Sequence, residues 1–247
     1  MSSAQIVWTV VALVVVVAVV VPLLRVWQGV RVSQELVAAA EPYRQQPDES
    51  DFRVLVLGDS TAVGVGADRP EDSVAGRLGV DILEARIDNL SKSGLRSAGL
   101  LKQLDEVDGE YDLIVVHIGA NDVLRMENLE ETKANIDAIV DWAQARSVTV
   151  AWFSSGDIGE SRLLPWYARS LMSRRSLQLR DYGVELAKQR EGLVYVDLYY
   201  QEPGVEQAEF YARDNLHLSS TGYRLWYEQL RATLIETGNA EVVRRFK

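Results

Sequence analysis

Cysteine is absent from the 247 residues, and histidine occurs only twice. The first absence excludes a disulfide framework, a thiol nucleophile and any Cys-ligated metal site. The second leaves little scope for a His-rich metal centre, although carboxylate-bound Mg²⁺ or Ca²⁺ stays open. Positive charge is also short: 26 Lys and Arg against 36 Asp and Glu give a formal net charge of −10. Nucleic acid is therefore not an expected partner, because phosphate binding needs clustered positive charge. Charged side chains of either sign are missing altogether before Arg25. Beyond that point the charge content is ordinary for a globular domain of roughly 200 residues, long enough to bury a substantial core without cross-links.

The uncharged N-terminus contains Ile6 to Leu24, a run of 19 residues composed almost entirely of Val, Ala, Leu and Ile. As a helix it would span ~29 Å, the hydrocarbon thickness of a bilayer. Trp8 and Trp27 stand near its two ends, where aromatic belts belong. A cleaved signal peptide would need a basic n-region and a nearby small-residue cleavage site. The n-region here is Met-Ser-Ser-Ala-Gln, and Ala38-Ala39-Ala40 begins 14 residues after Leu24, too far away. The run reads as an uncleaved transmembrane anchor over 1–27, followed by a juxtamembrane helix and linker over 28–51. Arg25, Arg31 and Arg44 follow the span and no basic side chain precedes it. The positive-inside rule then places the C-terminal domain in the cytoplasm, with the outward-facing orientation as the alternative.

From Arg53 onward, short apolar runs alternate with longer helical patterns. The expected strands are Arg53–Leu57, Arg86–Leu90, Leu113–Ile118, Val148–Phe153 and Leu193–Asp197. Helical periodicity covers Val74–Leu83, Ala98–Leu104, Leu129–Arg146, Leu164–Gln189 and Thr221–Ile235, the last with Ser219 or Ser220 as N-cap. Continuous apolar strands suit a parallel sheet covered on both faces. The pattern predicts an α/β fold: a three-layer α/β/α domain around a five-stranded, mostly parallel, flavodoxin-like sheet. Its site belongs at the carboxyl ends of the strands.

Four loops stand at such ends. In Gly58-Asp59-Ser60-Thr61-Ala62 the serine is either a nucleophile awaiting a base or, like Asp59, a cap on the next helix. Gly94 either lets a backbone N–H approach a ligand or serves a turn at positive φ. In Gly119-Ala120-Asn121-Asp122 the Asn121 amide can donate to a developing oxyanion, or close an Asx-turn. Asp214 and His217 stand three residues apart before a helix, so one turn can bring carboxylate to imidazole and orient it as a base. His117, inside the third strand, reads as a core residue.

Together the four loops resemble the SGNH branch of the GDSL hydrolases, over roughly Arg53 to Ile235. Gly58-Asp59-Ser60 matches the nucleophile block, with Thr61 where the name-giving motif often has leucine. Gly94 matches the glycine block, Gly119-Ala120-Asn121-Asp122 the G-x-N-D block, and Asp214-Asn215-Leu216-His217-Leu218 the D-x-x-H block. The resemblance implies a serine hydrolase acting on ester bonds, with no cofactor and no metal. Ser60 would attack, His217 would relay the proton, and Asp214 would orient His217. The oxyanion hole would consist of the Ser60 and Gly94 backbone N–H groups and the Asn121 side chain. The hydrolase domain is expected over 52–240, with a C-terminal tail over 241–247.

Substrate choice does not follow from a triad. The segment from Ser154 to Ser176 interleaves Leu163, Leu164, Trp166, Tyr167, Leu171 and Met172 with Arg162, Arg169, Arg174 and Arg175. It either packs a crossover helix or contacts lipid and an acyl chain. The expected substrate is a small-molecule or lipid acyl ester, as in lysophospholipase-like esterases. A carbohydrate O-acetyl esterase or an acyltransferase using the same triad is the alternative. A non-catalytic membrane-tethered binding module is the reading from another class.

Overall fold

The computed structural model describes residues 2–200, 204–237 and 240–246; Lys247, the end of the expected tail, lies outside them. Five strands, β1 (Phe52–Gly58), β2 (Ala85–Asn89), β3 (Leu113–His117), β4 (Val150–Phe153) and β5 (Leu193–Val196), form one sheet. Its order is β2-β1-β3-β4-β5 and every pairing is parallel, the flavodoxin-like arrangement. The helices in chain order are α1 (Ser3–Ala39), α2 (Ser60–Val63), α3 (Val74–Asp81), α4 (Ser97–Gln103), α5 (Ala120–Leu124), α6 (Leu129–Gln144), α7 (Trp166–Gln189), α8 (Gln207–Phe210), α9 (Ser220–Glu236) and α10 (Ala240–Arg245).

Alternate residues along β1 explain the three layers. Phe52, Val54 and Val56 point to one face, where Val74 and Leu78 of α3 and Tyr223, Trp226 and Leu230 of α9 cover them. Leu55 and Leu57 point to the other, under Leu100 of α4, Ile136 and Val140 of α6 and Leu179 of α7. Each large aliphatic side chain so buried contributes ~1.5–3 kcal/mol. This double coverage is why the strands read as unbroken apolar runs.

Every strand differs from its expected bounds by one or two residues at one end or both, and at two of these ends the local cause is visible. Val148 is 82% exposed and precedes β4, which starts at Val150. The Ser147 hydroxyl closes a local turn there, donating to the Thr149 carbonyl and accepting from its N–H. Asp197 lies beyond β5 because its carboxylate takes the Arg180 guanidinium and the Tyr199 N–H.

At the N-terminus, α1 runs unbroken for 37 residues through both segments separated in the sequence reading, and it is long and apolar enough to cross a membrane. Pro22 lies inside it. Beyond the helix, Gln45 forms an antiparallel bridge with Ile87 of β2, and its side-chain amide donates to the carbonyls of Ile82, Leu83 and Ala85. The linker thereby covers an edge strand.

Candidate active site

The carboxyl edge of β1 is built for a tight exit. Gly58 has φ +143°, and a Cβ there would lie 2.1 Å from the His117 carbonyl oxygen, so only glycine fits. The next residue, Asp59, caps α2: its Oδ1 accepts from the Thr61 N–H at 3.0 Å and from the Thr61 hydroxyl at 2.8 Å. A leucine at position 61 could not supply the second donor. Capping thus falls to Asp59, and Ser60 is left with its Oγ free to point elsewhere.

It points to His217, whose Nε2 lies 3.0 Å away. The His217 Nδ1 is 2.5 Å from Asp214 Oδ2, and Asp214 Oδ1 accepts from the backbone N–H groups of Leu216 and His217, each at 3.0 Å. Asn215 makes this turn with φ +58°, a left-handed conformation that Asn tolerates better than most residues. Asp214 and His217 are both buried. Burial alone would raise the Asp214 carboxyl, but the His217 ring and the two backbone donors outweigh it and hold the carboxyl below its ordinary value. Hydroxyl, imidazole and carboxylate thus form one hydrogen-bonded series, able to take a proton from the serine and stabilise it on the ring.

Gly94 and Asn121 line the same cleft as Ser60 and His217. Gly94 adopts φ +79°, and the atom closest to a Cβ there would be Arg125 Nη2 at 3.8 Å, so its surroundings are open. Asn121 lies in the first turn of α5, whose N-cap is Gly119, and its Nδ2 donates to Asp59 Oδ2 at 3.2 Å rather than closing a turn on its own backbone. Asp59 is fully buried; desolvation pushes its carboxyl up, while the Thr61 and Asn121 hydrogen bonds pull it back.

Two contributors escaped the sequence reading. One is Asp59 as the holder of Asn121. The other is Asp122, buried beneath the cleft, whose carboxylate accepts from the Ser97 N–H at 3.0 Å and the Ser97 hydroxyl at 2.6 Å. That bond ties the loop carrying Gly94 to the loop carrying Asn121, and a buried carboxylate inside the G-x-N-D run was its available signal. His117, as expected, is a core residue: it stacks on Phe153 with centroids 4.0 Å apart, and burial pushes its pKa down to about 3.

The cleft above these residues has a volume of about 240 Å³. Leu124, Ile158, Leu198, Phe210 and Trp226 give it apolar walls, and Ser33 and Val37 of α1 close one side. Asp157 and Glu160, on the stretch after β4, also line the cleft. Burial raises the Glu160 carboxyl and the nearby Asp157 charge adds to the rise. Among the described residues no group of three or more His, Asp or Glu side chains converges to hold a metal ion.

The fold recurs in solved structures. The crystal structure of TesA superposes with a TM-score of 0.61 at 23% identity, covering 75% of this chain and 99% of that one. The psychrotrophic esterase EstA from Pseudoalteromonas sp. gives 0.54 at 20% identity over 75% and 98%. The salicylyl-acyltransferase SsfX3 of a tetracycline biosynthetic pathway gives 0.58 at 16% identity over 80% and 58%. No curated protein matches the chain. A family model, however, matches residues 56–225, which include the β1 exit, the Asn121 loop and the Asp214–His217 turn. The chain belongs to the GDSL-like lipase/acylhydrolase family, the ester-hydrolysing serine hydrolases also called SGNH hydrolases.

Proposed function

We propose that the protein is a membrane-anchored hydrolase of acyl esters in which Ser60 is the nucleophile, His217 the general base and Asp214 its orienting carboxylate. The observation that carries this reading is the unbroken series Ser60 Oγ–His217 Nε2 at 3.0 Å and His217 Nδ1–Asp214 Oδ2 at 2.5 Å. Ser60 Oγ attacks the acyl carbonyl as its proton passes to His217 Nε2. The tetrahedral oxyanion accepts from the Ser60 and Gly94 N–H groups and from the Asn121 amide hydrogen not engaged by Asp59. Collapse breaks the bond to the alcohol, which leaves with the proton from His217. Water then attacks the acyl-enzyme by the same route in reverse and releases the acid.

The apolar walls formed by Leu124, Ile158, Leu198, Phe210 and Trp226 support an acyl chain over a carbohydrate as the bound group. The complete hydroxyl–imidazole–carboxylate series counts against a non-catalytic binding module. Residues 6–24 serve as the anchor, with the catalytic domain on the cytoplasmic side that Arg25, Arg31 and Arg44 favour. Labelling with a fluorophosphonate tests the chemistry. Ser60 should carry the adduct, and labelling that survives Ser60→Ala would reject the assignment. Resistance of the domain to protease added outside intact cells tests the orientation, and digestion there would place it outside.

A further inference from the structure

The helix that carries the apolar run does not end at Leu24 but continues to Ala39, against the catalytic domain. Beyond Leu24 its half-buried residues are Val26, Gly29, Val32, Ser33 and Leu36, which recur at spacings of three and four and so form one face of α1. That face lies on the catalytic loops. A Cβ on Gly29 would lie 2.2 Å from Leu163 Cδ1 and 3.5 Å from the Asp214 carbonyl oxygen, so the absence of a side chain there lets the helix sit close. One turn on, Ser33 Oγ is 3.4 Å from His217 Nδ1, and another turn on, Val37 lines the cleft. Glu35 pairs with Arg213 at 3.2 Å, but both side chains are more than half exposed, so this pair adds little. Close packing at Gly29 and Ser33 therefore determines the placement.

We infer that the membrane-proximal half of α1 is a wall of the catalytic cleft and a strut of fixed length, which holds the cleft at the bilayer surface so that it draws acyl esters out of the membrane that anchors it. This rests on the proposed hydrolase chemistry and on residues 6–24 spanning a bilayer. The length follows from the helix: Ser33 is nine residues past Leu24, or ~14 Å along the axis. The polar zone of a leaflet occupies roughly the first half of that distance. An ester must therefore rise only a short way to reach Ser60, with its chain still partly in lipid. Each methylene left in water costs about fourfold in binding, so the apolar walls beside Val37 take over where the lipid ends. The cost is smaller for an ester carrying one chain than for one carrying two. Leu163, seated on Gly29, is followed three and four residues later by the exposed Trp166 and Tyr167, amphipathic rings suited to the headgroup level.

Two variants of the full chain test this in phosphatidylcholine vesicles. An insertion of 14 helix-forming residues between Leu24 and Arg25 lifts the domain by ~21 Å and leaves the packed face from Val26 onward untouched. Its hydrolysis of 1-palmitoyl-lysophosphatidylcholine in the vesicle should fall at least tenfold, while its hydrolysis of dissolved p-nitrophenyl butyrate stays at the parental rate. Equal turnover of the lipid by both proteins would overturn the strut. Gly29→Trp pushes the helix off Leu163 and should lower turnover of both esters at least fivefold with the domain still folded; parental rates on both would overturn the wall. Release of the parent by carbonate wash would instead reject the anchor. Failure of the folded parent to hydrolyse either ester or take fluorophosphonate would reject the hydrolase reading, and the inference with it.

Discussion

Asn121 donates its side-chain amide to the Asp59 carboxylate at 3.2 Å, and Asp59 directly precedes Ser60 in the chain. The residue proposed to stabilise the oxyanion is thus aimed by the neighbour of the residue proposed to create it. Removing Asp59 should misplace Asn121 without touching the hydroxyl–imidazole series. Asp59→Ala is expected to lower kcat by ~10–100-fold with KM little changed, and to cost about 1 kcal/mol of stability through the lost cap. Asn121→Ala should cost ~10²–10³ in kcat. The double variant should be no slower than Asn121→Ala alone, and additive losses in steady-state kinetics would separate the two residues.

Ser60, His217 and Asp214 should behave as a unit. Ser60→Ala and His217→Ala are each expected to reduce ester hydrolysis by ~10⁴ or more, with the double variant scarcely worse than either. Asp214→Asn should be comparable or milder, since it misorients the ring without removing it. The Asp214 carboxyl is held below its ordinary value of 3.8, so its contribution to stability is present above that pH and is lost as pH falls through the folded-state value. Asp214→Asn should therefore flatten the steepest acid part of the unfolding profile, measured by thermal denaturation between pH 2 and 5.

His117 gives the fold a second acid sensitivity. Buried against Phe153 and with no hydrogen-bond partner for either ring nitrogen among the described residues, it is held neutral, its pKa pushed from 6.5 to about 3. The unfolded chain takes up a proton below pH 6.5 and the folded chain does not, so stability is complete above 6.5 and erodes as pH falls toward 3. The loss should reach ~3 kcal/mol by pH 4. His117→Phe is expected to remove this slope while leaving kcat at the parental value. An unchanged slope in thermal denaturation at pH 4 and 7 would contradict it.

Gly94 is the site for a gentle backbone test. With φ +79° and Arg125 Nη2, at 3.8 Å, the nearest contact of a new Cβ, Gly94→Ala should fold, at a strain of ~1 kcal/mol. If its N–H serves the oxyanion, kcat should drop ~10-fold or more while KM for a short p-nitrophenyl ester changes little. A parental kcat in the folded variant would assign Gly94 to the turn alone.

The layer architecture was legible in the chain alone, because residues buried on both sheet faces must be mostly apolar, as Leu113–Val116 is. The sequence also determined which loops carry chemistry, since parallel strands send all their carboxyl ends to one edge. A serine cap on α9 was legible as Ser219 or Ser220, and the structure gives it to Ser219, whose hydroxyl accepts the Gly222 N–H. Short-range patterns could not show what Asp59 and Asp122 hold, because their partners Asn121 and Ser97 lie 62 and 25 residues away. Nor could they show that α1 reaches the cleft. The contact between Ser33 and His217 spans 184 residues, and a half-buried helical face reads the same whatever it covers. Local spacing fixes which groups face one way; only the packed chain decides what stands opposite them, since that depends on closing long loops whose ends carry no mutual signal.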